Sequence, residues 1–174
     1  MEKSYEIISG DALTVLGSLP AHTYDALITD PPYSTMSTSG GNGKYFDGAC
    51  ADSVIAYDDM DQRVWGRWTL EWLRASRKCL KQGAPILIFA SWRNIPGMTD
   101  LLQMASFKWQ GIIPWDKVRS RVLLGRFRHQ AEYIVWGSYG KLDTGHKRCL
   151  PGVYRVSNPL FSPKKKNTCH AKAC

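Results

Sequence analysis

An α/β fold is what the sequence predicts, because short apolar runs bounded by turn residues alternate with a stretch of helical periodicity. The alternating run Tyr24-Asp25-Ala26-Leu27-Ile28-Thr29 reads as a buried strand, and Pro85 to Ala90 reads as another. Between them Trp65, Trp68, Leu70, Trp72, Leu73 and Leu80 recur at a spacing that gives a helix one broad apolar face, suited to packing on a sheet. The tetrapeptide Asp30-Pro31-Pro32-Tyr33 follows the first of these strands. Sites of open α/β sheets lie where parallel strands end.

In chain order, Tyr5 to Ser9 is a short apolar strand ending at Gly10-Asp11. Asp11 is placed to cap a helix from Ala12 to Leu19, which Pro20 stops. After the strand that ends at Asp30, residues Ser34 to Gly48 turn to Ser, Thr, Gly and Asn, a composition with too little apolar surface to order itself. Such a loop beside a site reads as a lid. Asp58, Asp59 and Asp61 precede the tryptophan-rich helix, whose indoles read as core and not as stacking platforms; Gly83 ends it. Ser91 to Met104 is a loop plus a helix, Phe107 to Trp115 a strand, Ala131 to Gly137 the last clear strand, and Ser138 to Asn158 a hairpin-like connection.

With 174 residues, 44% hydrophobic and 22% charged, the chain has the composition of one ordinary soluble domain. No apolar run approaches the roughly 20 residues of a membrane span and no signal peptide precedes Tyr5, so a cytoplasmic protein is expected. The formal charge of +8 and a pI near 9.3 favour a polyanionic partner. Five cysteines match no zinc spacing and no metal site is expected; they read as incidental thiols.

Asp30-Pro31-Pro32-Tyr33 carries the chemistry. Two prolines fix φ, remove two backbone donors and push Asp30 out of the helical region, leaving a stiff array of acceptors. A carboxylate beside such carbonyls takes both hydrogens of an exocyclic amine, and Tyr33 offers a ring face on which a planar base stacks. Hydrogen bonds to the Asp30 carboxylate and the Pro31 carbonyl favour a pyramidal nitrogen with a concentrated lone pair. The plainer alternative is a strand-ending turn made of ordinary loop residues. A second candidate is the basic segment Lys117, Arg119, Arg121, Arg126, Arg128 and His129, interleaved with Val122, Leu123, Leu124 and Phe127. Arginines between two strands suit phosphate contact and guanine-edge recognition; the alternative is a solvated positive loop.

Gly10-Asp11-Ala12-Leu13, the strand to Asp30, and Pro31-Pro32-Tyr33 resemble the start of the amino-methylating DNA methyltransferases, N6-adenine or N4-cytosine. The order of motifs resembles the permuted, beta-type group, with the catalytic tetrapeptide near the N-terminus and the cofactor-binding glycines near the C-terminus. Pro85 to Ala90, Gly125-Arg126-Phe127-Arg128-His129-Gln130 and Ala131 to Gly137 extend the resemblance from residue 5 to about 166. It implies a Rossmann-like class I methyltransferase sheet, S-adenosylmethionine as methyl donor and double-stranded DNA as substrate. It also implies Asp30, Pro31, Pro32 and Tyr33 as catalytic residues, with Asp11 and Asp30 toward the cofactor. For Asp11 the capping role and the cofactor role hold together. Asp at position 30 favours adenine over cytosine, and argues with the arginine-rich segment against methylation of RNA or of a protein glutamine.

The chain departs from the family after residue 166. The segment Thr-His-x-Thr-Gln-Lys-Pro-Val and the strand ending in Asp-Pro-Phe-x-Gly-x-Gly are absent, and the sequence ends Asn167-Thr168-Cys169-His170-Ala171-Lys172-Ala173-Cys174. Those eight residues can be encoded so that a one-base shift reads Thr-His-Ala-Thr-Gln-Lys-Pro-Val, with a stop arising directly after Cys174. Lys164-Lys165-Lys166, an adenine-rich stretch, lies just upstream. The expectation is a methyltransferase domain over 1–166, with the basic insert at about 116–130, followed by a frameshift tail over 167–174. In the family's sheet the missing strands lie between the strand from Tyr5 and the strand ending at Asp30. Their loss should leave an incomplete sheet with an unpaired apolar edge, which invites a second chain. The alternative to an enzyme is then a catalytically dead fragment, at most a basic DNA-binding module.

Overall fold

The computed structural model describes residues 5–34, 60–118, 124–125, 127–145 and 149–156. Arg119, Arg121 and Arg126, nearly all of the Ser34 to Gly48 loop, Asp58, Asp59 and the tail over 167–174 lie outside the described residues. Within them, helices α1 (Ala12–Ser18), α2 (Gln62–Cys79) and α3 (Ile95–Met104) accompany strands β1 (Leu27–Thr29), β2 (Pro85–Ala90), β3 (Lys108–Asp116), β4 (Ala131–Ser138) and β5 (Tyr154–Arg155). The strands form one mixed sheet in the order β1-β2-β4-β3-β5.

Local chemistry accounts for the helix starts. The Asp11 carboxylate accepts from the Thr14 amide at 3.0 Å, and Asp61 accepts from the Arg63 amide at 2.9 Å, each satisfying a donor that the first turn leaves open. Arg77 and Lys78 occupy the last turn of α2, where the helix dipole favours positive charge. Gly83, at φ 85°, then turns the chain into β2, a conformation costly for any residue with a Cβ.

Pairing places the core. Along β2 Ile86, Ile88 and Ala90 face α2 and α3, and β4 sets Gly137, Val135 and Tyr133 directly opposite them in antiparallel register. Leu73, Ile86, Ile88, Met98, Leu102 and Val135 are fully buried there, each worth roughly 1.5–3 kcal/mol relative to exposure. A Cβ on Gly137 would stand 2.7 Å from the Lys108 carbonyl oxygen and 2.9 Å from Leu102 Cδ2, so only glycine lets α3 approach the sheet this closely. The opposite sheet face carries Leu87, Phe89, Ile113, Trp115 and Trp136; among the described residues no helix packs on it.

Three elements differ from expectation. Tyr5 to Ser9 is not a strand: no described strand pairs with it, and Tyr5 and Ile7 are 84% and 85% exposed. Apolar alternation gives strand potential, but a strand needs a neighbour's hydrogen bonds to form. The run from Tyr24 yields only Leu27–Thr29, with Tyr24 held by a lone bridge to Leu80. After Ser138 the chain does not make a hairpin. It returns β5 parallel to β3, a pairing that needs a longer crossover.

Candidate functional site

β1 and β2 run parallel, with Thr29 beside Ile88, so both carboxyl ends open on the same rim of the sheet. Asp30 and Pro31 leave β1 at that rim. They line a cleft of about 750 Å³ whose other walls are Ile8, Gly10 and Asp11, and Trp68 and Trp72 of α2. The fold thus brings Asp11 and Asp30, separated by a helix and a strand in sequence, into one cavity. The Asp11 carboxyl is held below the usual carboxylate range by the Thr14 amide first and the Thr14 hydroxyl second. It therefore faces the cleft as an anion across the neutral range.

The tetrapeptide is fastened from one side. Trp65 of α2, 3% exposed, donates its indole N–H to the Pro32 carbonyl at 3.0 Å, and the Ser34 hydroxyl donates to the Met60 carbonyl at 2.7 Å. Pro31 is buried, while Asp30 is exposed. The Tyr33 hydroxyl donates to Asp30 Oδ1, so the phenol holds the position on the carboxylate that an incoming N–H donor needs. Sequence periodicity marked Trp65 and Trp72 as core, which they are; it carried no sign that the Trp65 indole nitrogen aims at Pro32. Trp72, 5% exposed, leaves its own indole N–H without a partner.

At the far side of the sheet the basic segment begins on a polar knot. Asp116 accepts from the Val118 amide at 2.7 Å and the Gln130 side-chain amide at 2.7 Å, and lies 3.3 Å from Arg155 Nε. These contacts, Gln130 first and Val118 next, hold its carboxyl below the usual range. The Lys117 amide donates to the Gln130 carbonyl at 3.0 Å, which closes the base of the segment. Lys117 Nζ pairs with Glu132 at 2.8 Å, both partly buried, whereas Arg128 is exposed. Lys117 and Arg128 thus stand at the two ends of one closed segment, with different surroundings. Asp116 is a residue that the sequence reading passed over, since a single carboxylate among cations gives no periodic signal. Among the described residues no group of three or more His, Cys, Asp or Glu is placed to hold a metal ion, and no helix is long and apolar enough to cross a membrane.

Comparison with known proteins matches residues 24–172 to a family model described as DNA methylase, of the N6/N4 type. The Type II methyltransferase M.HinfI of Haemophilus influenzae is 27% identical over 138 residues, covering 76% of this chain and 37% of the relative. The chain thus spans well under half the length of that relative. The crystal structure of the M1.HpyAVI–SAM complex superposes with a TM-score of 0.54 at 19% identity, over 85% of this chain and 65% of the other. PvuII DNA methyltransferase, cytosine-N4-specific, superposes with a TM-score of 0.60 at 16% identity, over 89% of this chain and 58% of the other.

Proposed function

The chain belongs to the N6/N4 DNA methylase family, and from that membership we propose that it is the catalytic and DNA-reading part of an S-adenosylmethionine-dependent methyltransferase acting on an exocyclic base amine, adenine N6. The observation that carries the reading is Asp30 with Pro31 at the carboxyl end of β1, opening on a cleft shared with Asp11. A flipped base enters at that rim. Asp30 accepts one amine hydrogen and the Pro31 carbonyl the other, which draws the nitrogen toward a pyramidal geometry and aims its lone pair into the cleft. Tyr33 first gives up its hydrogen bond to Asp30 and then offers its ring to the base.

The cleft fits the cofactor on one wall. Two carboxylates suit a ligand that carries positive charge, and the volume is ample. Asp11 and Asp30 would hold the cofactor, which when bound supplies an electrophilic methyl group.

The same cleft supports a narrower alternative. β1 is the edge of the described sheet, pairing only with β2, and Ile28 on it is 67% exposed. In our reading the strands that would border β1 come from further sequence or from a second chain, and residues 167–174 are a frameshift tail. The 174-residue chain alone is then a catalytically dead fragment, at most a basic DNA-binding module.

Calorimetric titration with S-adenosylmethionine separates the readings, run on this chain and on one whose lysine codons lack a single adenine. Micromolar binding by the 174-residue chain refutes the frameshift account of function, and another segment or a second subunit then supplies the cofactor site. Binding by the corrected chain alone supports it, and sequencing of the gene checks the codons directly.

A further inference from the structure

The same rim carries an aromatic group that the chemistry at Asp30 does not use. Ser91 and Trp92 leave β2 at the edge where Asp30 and Pro31 leave β1, since the parallel register that pairs Thr29 with Ile88 continues toward Ala90. Phe127, Arg128 and His129 reach the same edge from the other direction, because β4 runs antiparallel to β2 with Tyr133 opposite Ala90. There the Trp92 and His129 rings stack at 5.9 Å between centroids and 10° between planes, and the Arg93 guanidinium lies 5.1 Å from the centre of the Trp92 ring. The group stays open. Trp92 is 51% exposed with both neighbours in place, and Phe127 is 97% exposed. A large indole with a ring and a guanidinium beside it and still half in solvent is a poor core residue. It is a good surface for another planar, electron-rich ring, and the cations beside it suit a ligand tied to phosphates.

We propose that Trp92, together with the neighbouring His129 and Arg93, is a stacking platform for an unpaired nucleobase of DNA. Its occupant is a base left without a partner, or beside the gap, when the target nucleotide leaves the duplex. The proposal rests on the DNA-binding reading above and deepens it. It separates two kinds of contact on the rim: stacking at Trp92, which follows unpaired bases, and charge at Arg128, which follows phosphates. The two respond differently to salt, because stacking releases no condensed counterions.

The test is fluorescence anisotropy of a labelled short DNA in three forms: single strand, perfect duplex and duplex with one mismatch. The 174-residue chain is compared with Trp92→Ala, Trp92→Phe and Arg128→Ala. Trp92→Ala should weaken binding of the single strand and the mismatched duplex by about 5- to 150-fold, with less effect on the perfect duplex and an unchanged slope of log affinity against log salt. Trp92→Phe should retain most of the affinity. Arg128→Ala should lower the slope by about 0.7 to 0.9 on every form. Equal binding by Trp92→Ala and the parent chain overturns the platform while leaving DNA binding intact. Equal losses in Trp92→Ala and Trp92→Phe overturn it as well, since phenylalanine keeps a stacking face. Should Trp92→Ala not fold, His129→Ala takes its place with the same expected direction. Absence of binding by the parent chain to any form overturns the DNA-binding reading itself.

Discussion

Trp65 and Trp72 make a matched pair on α2, and replacing each by phenylalanine isolates what the indole of Trp65 does for the tetrapeptide. Both are nearly fully buried, at 3% and 5% exposure, so both substitutions remove the same ring atoms from the same core. They differ in one hydrogen bond. Trp65 donates to the Pro32 carbonyl at 3.0 Å, whereas the Trp72 N–H has no partner. Trp65→Phe strands a carbonyl in a half-buried turn, which costs roughly 1–3 kcal/mol beyond the loss of packing. Trp72→Phe removes a donor that was already unsatisfied, so only packing is lost. Urea unfolding followed by circular dichroism should place Trp65→Phe about 1–3 kcal/mol below Trp72→Phe. In a domain of this size that corresponds to a gap of roughly 2–12 °C in Tm. Amide hydrogen exchange should also rise at Tyr33 and Ser34 in Trp65→Phe alone. Equal stabilities, or the reverse order, would refute the view that α2 anchors the tetrapeptide through the indole nitrogen.

Other expectations follow from the same geometry. In the frame-corrected chain, Asp30→Ala should abolish methyl transfer, measured with tritiated donor on DNA, while leaving DNA affinity within a few-fold of the parent; residual turnover above about one part in a hundred would count against Asp30. The lowered pKa values of Asp11 and Asp116 mean that each contributes stability that is complete above the unfolded-state value near 3.8 and is lost as pH falls through the lower folded value. Tm should therefore fall below about pH 4, and Asp116→Asn should flatten that slope; an unchanged slope would remove Asp116 from the account. Ile28→Lys places a charge on the exposed β1 edge and should raise the monomer fraction in light scattering at high concentration, because edge charges oppose strand-to-strand association. A variant that self-associates as strongly as the parent would mean that the edge is not the sticky surface.

Much of this was legible in the sequence because it is local. Asp11 and Asp61 precede helical periodicity and cap the helices they announce. Ile86, Ile88 and Ala90 alternate with Leu87 and Phe89, and the first set is the buried face. The tetrapeptide follows β1 because two consecutive prolines remove two ladder donors and so favour the end of a strand. What escaped was non-local. Tyr5 to Ser9 has the alternation of a strand, yet without a paired neighbour it is exposed coil. β5 pairs with β3 and not with β4, a choice of partner that the turn residues after Ser138 do not encode. Trp65 looks like any core indole, and Asp116 like any acid among bases; in each the function lies in the direction of one polar atom, which composition and period do not encode.

The two halves of the site differ in the same way. The tetrapeptide is held by contacts made within the chain, from Trp65 and from Ser34 to Met60, so its geometry does not wait on a ligand. The other wall of the cleft is bordered by Asp11 in its N-cap geometry, by Asp30 and by β1, the edge of the described sheet. A carboxylate that caps a helix keeps its position whether or not anything binds near it, so Asp11 is preorganised too. On the function proposed above, a strand that pairs with β1 would complete the sheet and border the cofactor wall at once. A polypeptide that pairs with Leu27–Thr29 should bring both the stability of a buried edge and the affinity for a cationic ligand, and neither should rise without the other.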